Sequence, residues 1–380
     1  MSALPRVLFY VQHLLGIGHL ARAGRIAGAL ARDGFKVTLV TGGLPVEGFL
    51  EEGVEEVRLP PLVAGEEGFS TLNDAEGRPA TDVYKAARRE RLLSLYEALK
   101  PDIVLIEAFP FGRRQVRFEL LPLIDRIEKS RPRPRLVSSI RDLLQARTKP
   151  GRDRETADIV KAHFDAVLVH GDPAFARLED SFALAAEIAD KVRYTGLVAP
   201  ARIVPAPDRH DIVVSAGGGA VGRRVMEAAA GAARLLDPAL SWLLITGPNL
   251  PEADFEALSS RAGPNVSLAR FRRDFTGVLA NARLSISQAG YNTVGDILLA
   301  GCRSILLPFE TGGETEQRAR AERLETLGRA VMLEEDKADA QTMAQAVTRA
   351  LALPDPAAIV LDRHGAEGTA RELRALLDAP

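Results

Sequence analysis

The chain has 380 residues, a formal net charge of −2 and 46% hydrophobic residues. That length suits two domains rather than one, the apolar content is enough for two cores, and a charge so near zero makes no global case for nucleic acid. The single cysteine, Cys302, excludes an internal disulfide framework and any cysteine-based metal cluster.

The predicted elements begin with a strand over residues 6–11, with no long apolar run before it. No signal-peptide pattern and no run of eighteen apolar residues is present, so export and a membrane span are not expected and a cytoplasmic protein is. Next comes Gly16-Ile17-Gly18-His19, ahead of a helix over 21–32. Glycines there let the backbone turn tightly and approach a ligand. His19 then projects above the sheet, where a neutral imidazole can take a proton from a hydroxyl near pH 7. The plainer reading is a histidine that caps or packs the helix. A dinucleotide fingerprint does not fit, because the third glycine is missing and no acidic residue ends the second strand, residues 36–41.

A short strand follows near 54–59, then a long helix over 81–99 and an apolar strand over 103–106. Glu107 ends that strand, in a position to orient His19 or to bind an acceptor. Asp142, beside Arg141, holds the equivalent place after the strand over 135–139, as does His170 at the end of the strand over 166–170. Each of these has a cap or turn role as its alternative. Residues 84–154 carry 18 Lys or Arg against 9 Asp or Glu. This reads either as a solvated surface or as a face toward anionic lipid or an anionic acceptor.

Three prolines at 200, 205 and 207 mark a stiff linker, after which the alternation restarts. A strand over 211–215 leads into Gly217, Gly218 and Gly219 and a helix over 221–236. Consecutive glycines ahead of a helix can wrap a diphosphate with backbone N–H groups, although ordinary turn chemistry is the alternative. No Lys-Ser or Lys-Thr follows, so this is not a Walker loop. Strands are expected at 242–246, 266–269, 284–287, 304–308 and 330–333. Between the third and fourth of these lies Ser287-Gln288-Ala289-Gly290-Tyr291-Asn292-Thr293-Val294-Gly295-Asp296. It reads as a glycine turn and a helix starting near Asn292 or Thr293, whose free N–H groups and positive dipole end suit phosphate. Asp296 is expected in the first turn, suited to the dipole and within reach of ligand hydroxyls. Glu316 and Gln317, after a glycine loop at a helix start, can bind sugar hydroxyls or cap the helix. A last helix spans about 367–377. No His-x-x-x-His or Glu-x-x-His cluster indicates a metal, and no Gly-x-Ser-x-Gly elbow indicates a serine hydrolase.

Short apolar strands alternating with helices predict an α/β chain with parallel sheets covered on both faces. The expected division is 1–196, a linker 197–210, a second domain 211–360, and 361–380 as a helix returning to the first domain. Ligands are expected between the carboxyl ends of the two sets of strands.

Together these motifs resemble the GT-B fold nucleotide-sugar glycosyltransferases, in particular family 28, which includes the peptidoglycan N-acetylglucosaminyltransferase. The resemblance implies two Rossmann-like, doubly wound domains facing a cleft, with the acceptor on the first and the donor on the second. It assigns the diphosphate to Gly217, Gly218, Gly219 and the turn through Gln288, Gly290, Asn292 and Thr293, and places Gly18 and His19 near the donor phosphates or the attacking acceptor. Asp296 takes the place of the family's ribose-binding glutamate. Phe271 and Arg272 match the segment whose backbone reads the base, and Glu316 and Gln317 match the pair that reads the sugar. Gln288 stands where the family has an arginine.

The implied activity is inverting, metal-independent transfer of a sugar, from a donor such as a UDP-linked hexose or N-acetylhexosamine, to a hydroxyl. His19, Glu107 and Asp142 are the catalytic candidates, with no cofactor and no metal. The implied partners are the nucleotide sugar and a lipid-linked or polysaccharide acceptor, with peripheral contact to the cytoplasmic face of an anionic membrane. A nucleotide-sugar hydrolase or 2-epimerase of the same fold, and a non-catalytic nucleotide-sugar-binding subunit, are the alternatives.

Overall fold

The apolar runs of the sequence become central strands in a computed structural model, which describes residues 4–14, 18–65, 68–146, 150–216, 222–247, 250–310, 314–354 and 361–379. The chain divides into two units, Met1–Val198 with Leu361–Pro380, and Ala199–Val360.

In the first unit the order is β1 (Arg6–Val11), α1 (Gly18–Arg32), β2 (Lys36–Thr41), β3 (Val54–Arg58), a hairpin of β4 (Val63–Gly65) and β5 (Gly68–Asn73), and α2 (Asp82–Leu99). Then come β6 (Ile103–Glu107), α3 (Arg117–Lys129), β7 (Arg135–Arg141), α4 (Arg152–His163), β8 (Ala166–His170) and β9 (Val192–Tyr194). In the second unit the order is β10 (Ile212–Ser215), α5 (Arg223–Ala233), β11 (Trp242–Ile245), α6 (Glu252–Arg261), β12 (Val266–Ala269) and α7 (Phe275–Ala280). It continues with β13 (Leu284–Ser287), α8 (Tyr291–Ala300), β14 (Arg303–Leu306), α9 (Glu316–Thr326), β15 (Ala330–Met332) and α10 (Ala340–Leu351). The chain ends with α11 (Gly365–Asp378), which packs on α1 of the first unit.

Among the described residues the first sheet has the order β3-β2-β1-β6-β7-β8-β9 and the second β12-β11-β10-β13-β14-β15. Every pair in both sheets is parallel. Strands such as Ile103–Glu107 and Ile212–Ser215 are buried along their whole length because helices cover both faces. In each sheet the strand order reverses beside the first strand, at β1–β6 in one unit and β10–β13 in the other. Such reversal points open a crevice at the carboxyl ends of the strands, where open α/β sheets bind ligands.

The hairpin β4–β5 was not expected from the sequence. Its strands pair antiparallel with a register shift at Ala64/Gly65, and β4, at three half-buried residues, is too short to show a period of two. The loops that leave β1 and β2 are held from below by a buried ion pair. Arg88 of α2 and Glu119 of α3 are fully buried. The Arg88 guanidinium donates to Glu119 Oε2 at 2.7 Å, to Gln12 Oε1 at 2.6 Å and to the Gly42 carbonyl at 2.9 Å. Tyr10 donates its hydroxyl to Glu119 Oε1 at 2.5 Å. Satisfying nearly every donor in this way is what makes a buried charge pair tolerable.

The basic excess of residues 84–154 is largely answered by carboxylates, several of them just outside that stretch. Arg114 and Arg117 pair with Glu155, Arg133 with Asp165, and Arg154 with Glu187. Among the described residues no helix is long and apolar enough to cross a membrane.

Candidate active site

The helix α1 starts at Gly18, three residues earlier than the sequence suggests, so Gly18 and His19 form its first turn. Gly16 and Ile17 lie outside the described residues. Because β1 and β6 are adjacent, the start of α1 is carried to the end of β6, and His19 meets Glu107. His19 Nδ1 lies 2.9 Å from Glu107 Oε1; the histidine side chain is 19% exposed and the carboxylate is fully buried. Arg22, one turn along α1, donates to the same carboxylate oxygen. Ser139 Oγ donates to the other oxygen, Oε2, at 2.5 Å.

Burial opposes the charge on Glu107. Arg22, His19 and Ser139 outweigh it and hold the carboxyl well below its usual range. An ionised carboxylate only accepts, so the imidazole donates from Nδ1 and leaves Nε2 bare. Burial, with Arg113 adding repulsion, pushes the His19 pKa down to about 3 against the pull of Glu107. The imidazole is therefore neutral, oriented by a carboxylate, and equipped with a free lone pair. The orientation and the unprotonated Nε2 suit a general base, while burial makes the ring a weaker proton acceptor than an ordinary histidine.

Positive charge surrounds the pair. Arg113 occupies a left-handed backbone conformation, φ 55°. Burial and the nearby Arg141 push its pKa down to about 10, with Glu107 acting in the opposite sense. Arg113 thus stays charged at neutral pH. Asp142 is placed differently from the other two catalytic candidates. It is fully buried, and its Oδ1 accepts the N–H of Leu143 at 2.8 Å.

In the second unit, Gly290 caps α8 with φ −66° and ψ 147° and supplies no side-chain hydrogen bond to the helix N-terminus. The space that a β-carbon at Gly290 would enter is open. No side chain at Gly290 therefore covers the first N–H groups of this helix. Gly217, Gly218 and Gly219 lie outside the described residues. Gln288 and Asn292 flank the cap, and Thr293 follows in the first turn.

The placement of Asp296 corrects the sequence reading. Since α8 begins at Tyr291, Asp296 is its sixth residue, in the second turn and buried. Its carboxylate does not sit where the helix dipole acts. Glu316 and Gln317 open α9, with Glu316 buried, and Gln317 Oε1 accepts the Phe309 N–H at 3.2 Å. Gln317 thereby fixes the loop leaving β14.

Phe271 is 61% exposed. The Arg272 side chain is engaged within the unit: it donates to both oxygens of Asp208 at 2.6 and 2.7 Å and to both of Asp274 at 2.8 Å. The guanidinium is thus taken up by these two carboxylates.

Three residues escaped the sequence reading. Arg22 lies three positions from His19, a spacing that places both on one helix face. Ser139 stands opposite Glu107 in the β6–β7 register, which no local pattern announces. Arg320 is fully buried; it donates to the Ala289 carbonyl at 2.8 Å and lies 5.8 Å from the Tyr291 ring centroid, so α9 braces the turn before α8.

Comparison with known proteins bears on the second unit and on the fold. Residues 212–358 match the model of the glycosyltransferase family 28 C-terminal domain. Among solved structures, the spinosyn forosaminyltransferase SpnP superposes with a TM-score of 0.65 at 16% identity, covering 99% of this chain and 100% of that one. The calicheamicin glycosyltransferase CalG4 gives 0.62 at 18%, covering 98% and 94%. The Acinetobacter baumannii MurG gives 0.59 at 17%, covering 98% of each. The fold is therefore that of the GT-B glycosyltransferases.

Within that fold, the likeness to family 28 lies in the second unit. Several curated relatives carry the name UDP-N-acetylglucosamine–N-acetylmuramyl-(pentapeptide) pyrophosphoryl-undecaprenol N-acetylglucosamine transferase. The one from Thermotoga neapolitana is 31% identical over 88 residues, 23% of this chain and 26% of the relative. The one from Synechococcus sp. is 30% identical over 177 residues, 44% of this chain and 48% of the relative. The matched stretch thus spans less than half the length of these relatives.

Proposed function

We propose that the chain is an inverting glycosyltransferase that moves a sugar from a nucleotide-sugar donor to an acceptor hydroxyl. The observation that carries this is the His19–Glu107 pair, a neutral imidazole with Nδ1 committed to an ionised carboxylate. The match of residues 212–358 to a family 28 domain supports a nucleotide-sugar donor on the second unit.

The acceptor oxygen attacks the anomeric carbon from the face opposite the diphosphate. The new C–O bond forms as the anomeric carbon–phosphate oxygen bond breaks, and the hydroxyl proton passes to His19 Nε2. The electron pair leaves on the diphosphate, which the N-terminus of α8 stabilises through its backbone N–H groups and the helix dipole. Asp296 contacts the ribose, Glu316 and Gln317 the sugar, and the backbone at Phe271 and Arg272 the base. With charge stabilisation assigned to these groups, turnover is expected to persist in EDTA.

A UDP-linked hexose or N-acetylhexosamine is the donor we favour, by likeness to the family 28 relatives. Arg113 and Arg141, acting beside His19, give this part of the first unit a positive charge that suits a phosphate-bearing, lipid-linked acceptor met at a membrane surface. The test is calorimetric titration with a panel of nucleotide sugars, followed by product analysis with and without lipid extracts. Acceptor-dependent release of nucleoside diphosphate supports transfer. Free sugar or an isomerised donor without acceptor would instead identify a hydrolase or 2-epimerase. Binding without turnover under any condition would identify a binding subunit.

A further inference from the structure

His19 uses one oxygen of Glu107, and the other is held by a chain of buried groups that the reaction scheme leaves unassigned. Ser139 Oγ donates to Glu107 Oε2 at 2.5 Å and lies 2.8 Å from His170 Nε2. His170 Nδ1 lies 2.8 Å from Thr195 Oγ1. Glu107, Ser139 and His170 are fully buried and Thr195 is 2% exposed. The sheet explains the alignment. Ser139 is the register partner of Glu107, and His170 stands two residues beyond Leu168, the partner of Ser139 on β8. All three side chains therefore share one face of the sheet.

The donors and acceptors in this chain can be ordered from its charged end. An ionised Glu107 only accepts, so the Ser139 hydroxyl hydrogen points at it. The serine lone pair must then accept from His170 Nε2–H. That leaves His170 Nδ1 bare, to accept from the Thr195 hydroxyl. Each contact receives one proton.

A competing arrangement exists at the other end. The Arg22 guanidinium donates to Glu107 Oε1, and its Nη2 is also 3.4 Å from His19 Nδ1. If the carboxylate rotated away, that N–H would face Nδ1 directly. The imidazole proton would then move to Nε2, where it would block proton acceptance. A carboxylate anchored at its second oxygen resists this rotation.

We propose that Ser139 and His170 are positioning residues for His19, holding Glu107 by Oε2 and so keeping the imidazole in the tautomer with Nδ1 protonated and Nε2 bare. The proposal rests on reading His19 as the base, but it concerns a proton position that can be observed without turnover.

The experiment is nitrogen NMR of the histidine side chains in the full chain at pH 7. The His19 signals are assigned by their loss in His19→Gln, and folding is checked by thermal melting. The parent protein should show His19 with a protonated Nδ1 and an unprotonated Nε2. In Ser139→Ala and in His170→Phe both signals should move toward a mixture of tautomers. In His170→Gln, whose side-chain amide can still donate to Ser139, the parent pattern should return. An Nε2-protonated His19 in the parent would overturn the proposal. So would an unchanged pattern in a folded Ser139→Ala protein, which also decides the matter if His170→Phe fails to fold. If the tautomer shifts as expected while His19→Ala keeps full turnover, the positioning chain stands and the reading of His19 as base falls.

Discussion

His19 and His170 both have pKa values pushed down to about 3, against an ordinary value of 6.5, and burial is the largest cause in each. The folded state therefore holds fewer protons than the unfolded chain between those two pH values. Stability from these two sites is fully present above pH 6.5 and is lost as pH falls toward 3. Thermal melting should show this decline, and His170→Gln should flatten part of it. Catalysis has a matching signature. Turnover should lack an acid limb near pH 6.5, since His19 is already neutral there. His19→Ala should reduce turnover by about 10²–10⁴-fold with donor affinity nearly unchanged. A structural histidine would instead lower the melting temperature while preserving turnover per folded molecule, so both quantities must be measured on one preparation. The candidacy of His19 and Glu107 was legible in the sequence, because a histidine after the first glycine loop and a carboxylate ending an apolar strand both fall at strand ends. Their contact was not, since 88 residues separate them.

At the scale of the element, α8 is the most informative helix. Its capping glycine, open approach and braced turn depend on α9, which supplies Arg320 to the Ala289 carbonyl. Arg320→Leu should destabilise the second unit by about 1–3 kcal/mol, the cost of an unpaired buried carbonyl, readable by denaturant titration. It should also weaken nucleotide-sugar binding, because the turn that presents the N–H groups loses its support. Asp296→Ala should weaken donor binding by about 1–3 kcal/mol if the carboxylate accepts a buried ribose hydroxyl. Unchanged affinity by calorimetry would remove Asp296 from the donor site. The start of α8 was misjudged by one or two residues, since Tyr291 and Asn292 carry no strong helix-start signal and glycine is a weaker cap than Ser or Asp. That small error placed Asp296 in the wrong turn.

On the scale of the whole molecule, the two units have separate apolar cores, one centred on residues such as Ile106 and Leu120, the other on Val214 and Ile286. The last helix belongs to the first of them. Gly368 of α11 packs so closely that an added β-carbon would lie 2.1 Å from the Thr195 carbonyl oxygen, and Gly365 meets the Gly196 carbonyl in the same way. Gly368→Val should therefore lower the melting temperature of the first unit. Nucleotide-sugar binding, assigned to the second, should be unaffected in the same sample. Loss of both together would mean that the units do not melt independently. The sequence by itself determined the fold class, because alternating apolar strands and helices admit little but doubly wound parallel sheets. Only the tertiary structure decided which distant groups meet. Strand order brings β6 beside β1, β7 beside β6 and β8 beside β7, and this non-local pairing puts Glu107, Ser139 and His170 in line behind His19. Local pattern encodes periodicity and turns, whereas a hydrogen-bonded chain across three strands and a helix exists only once long-range register is set.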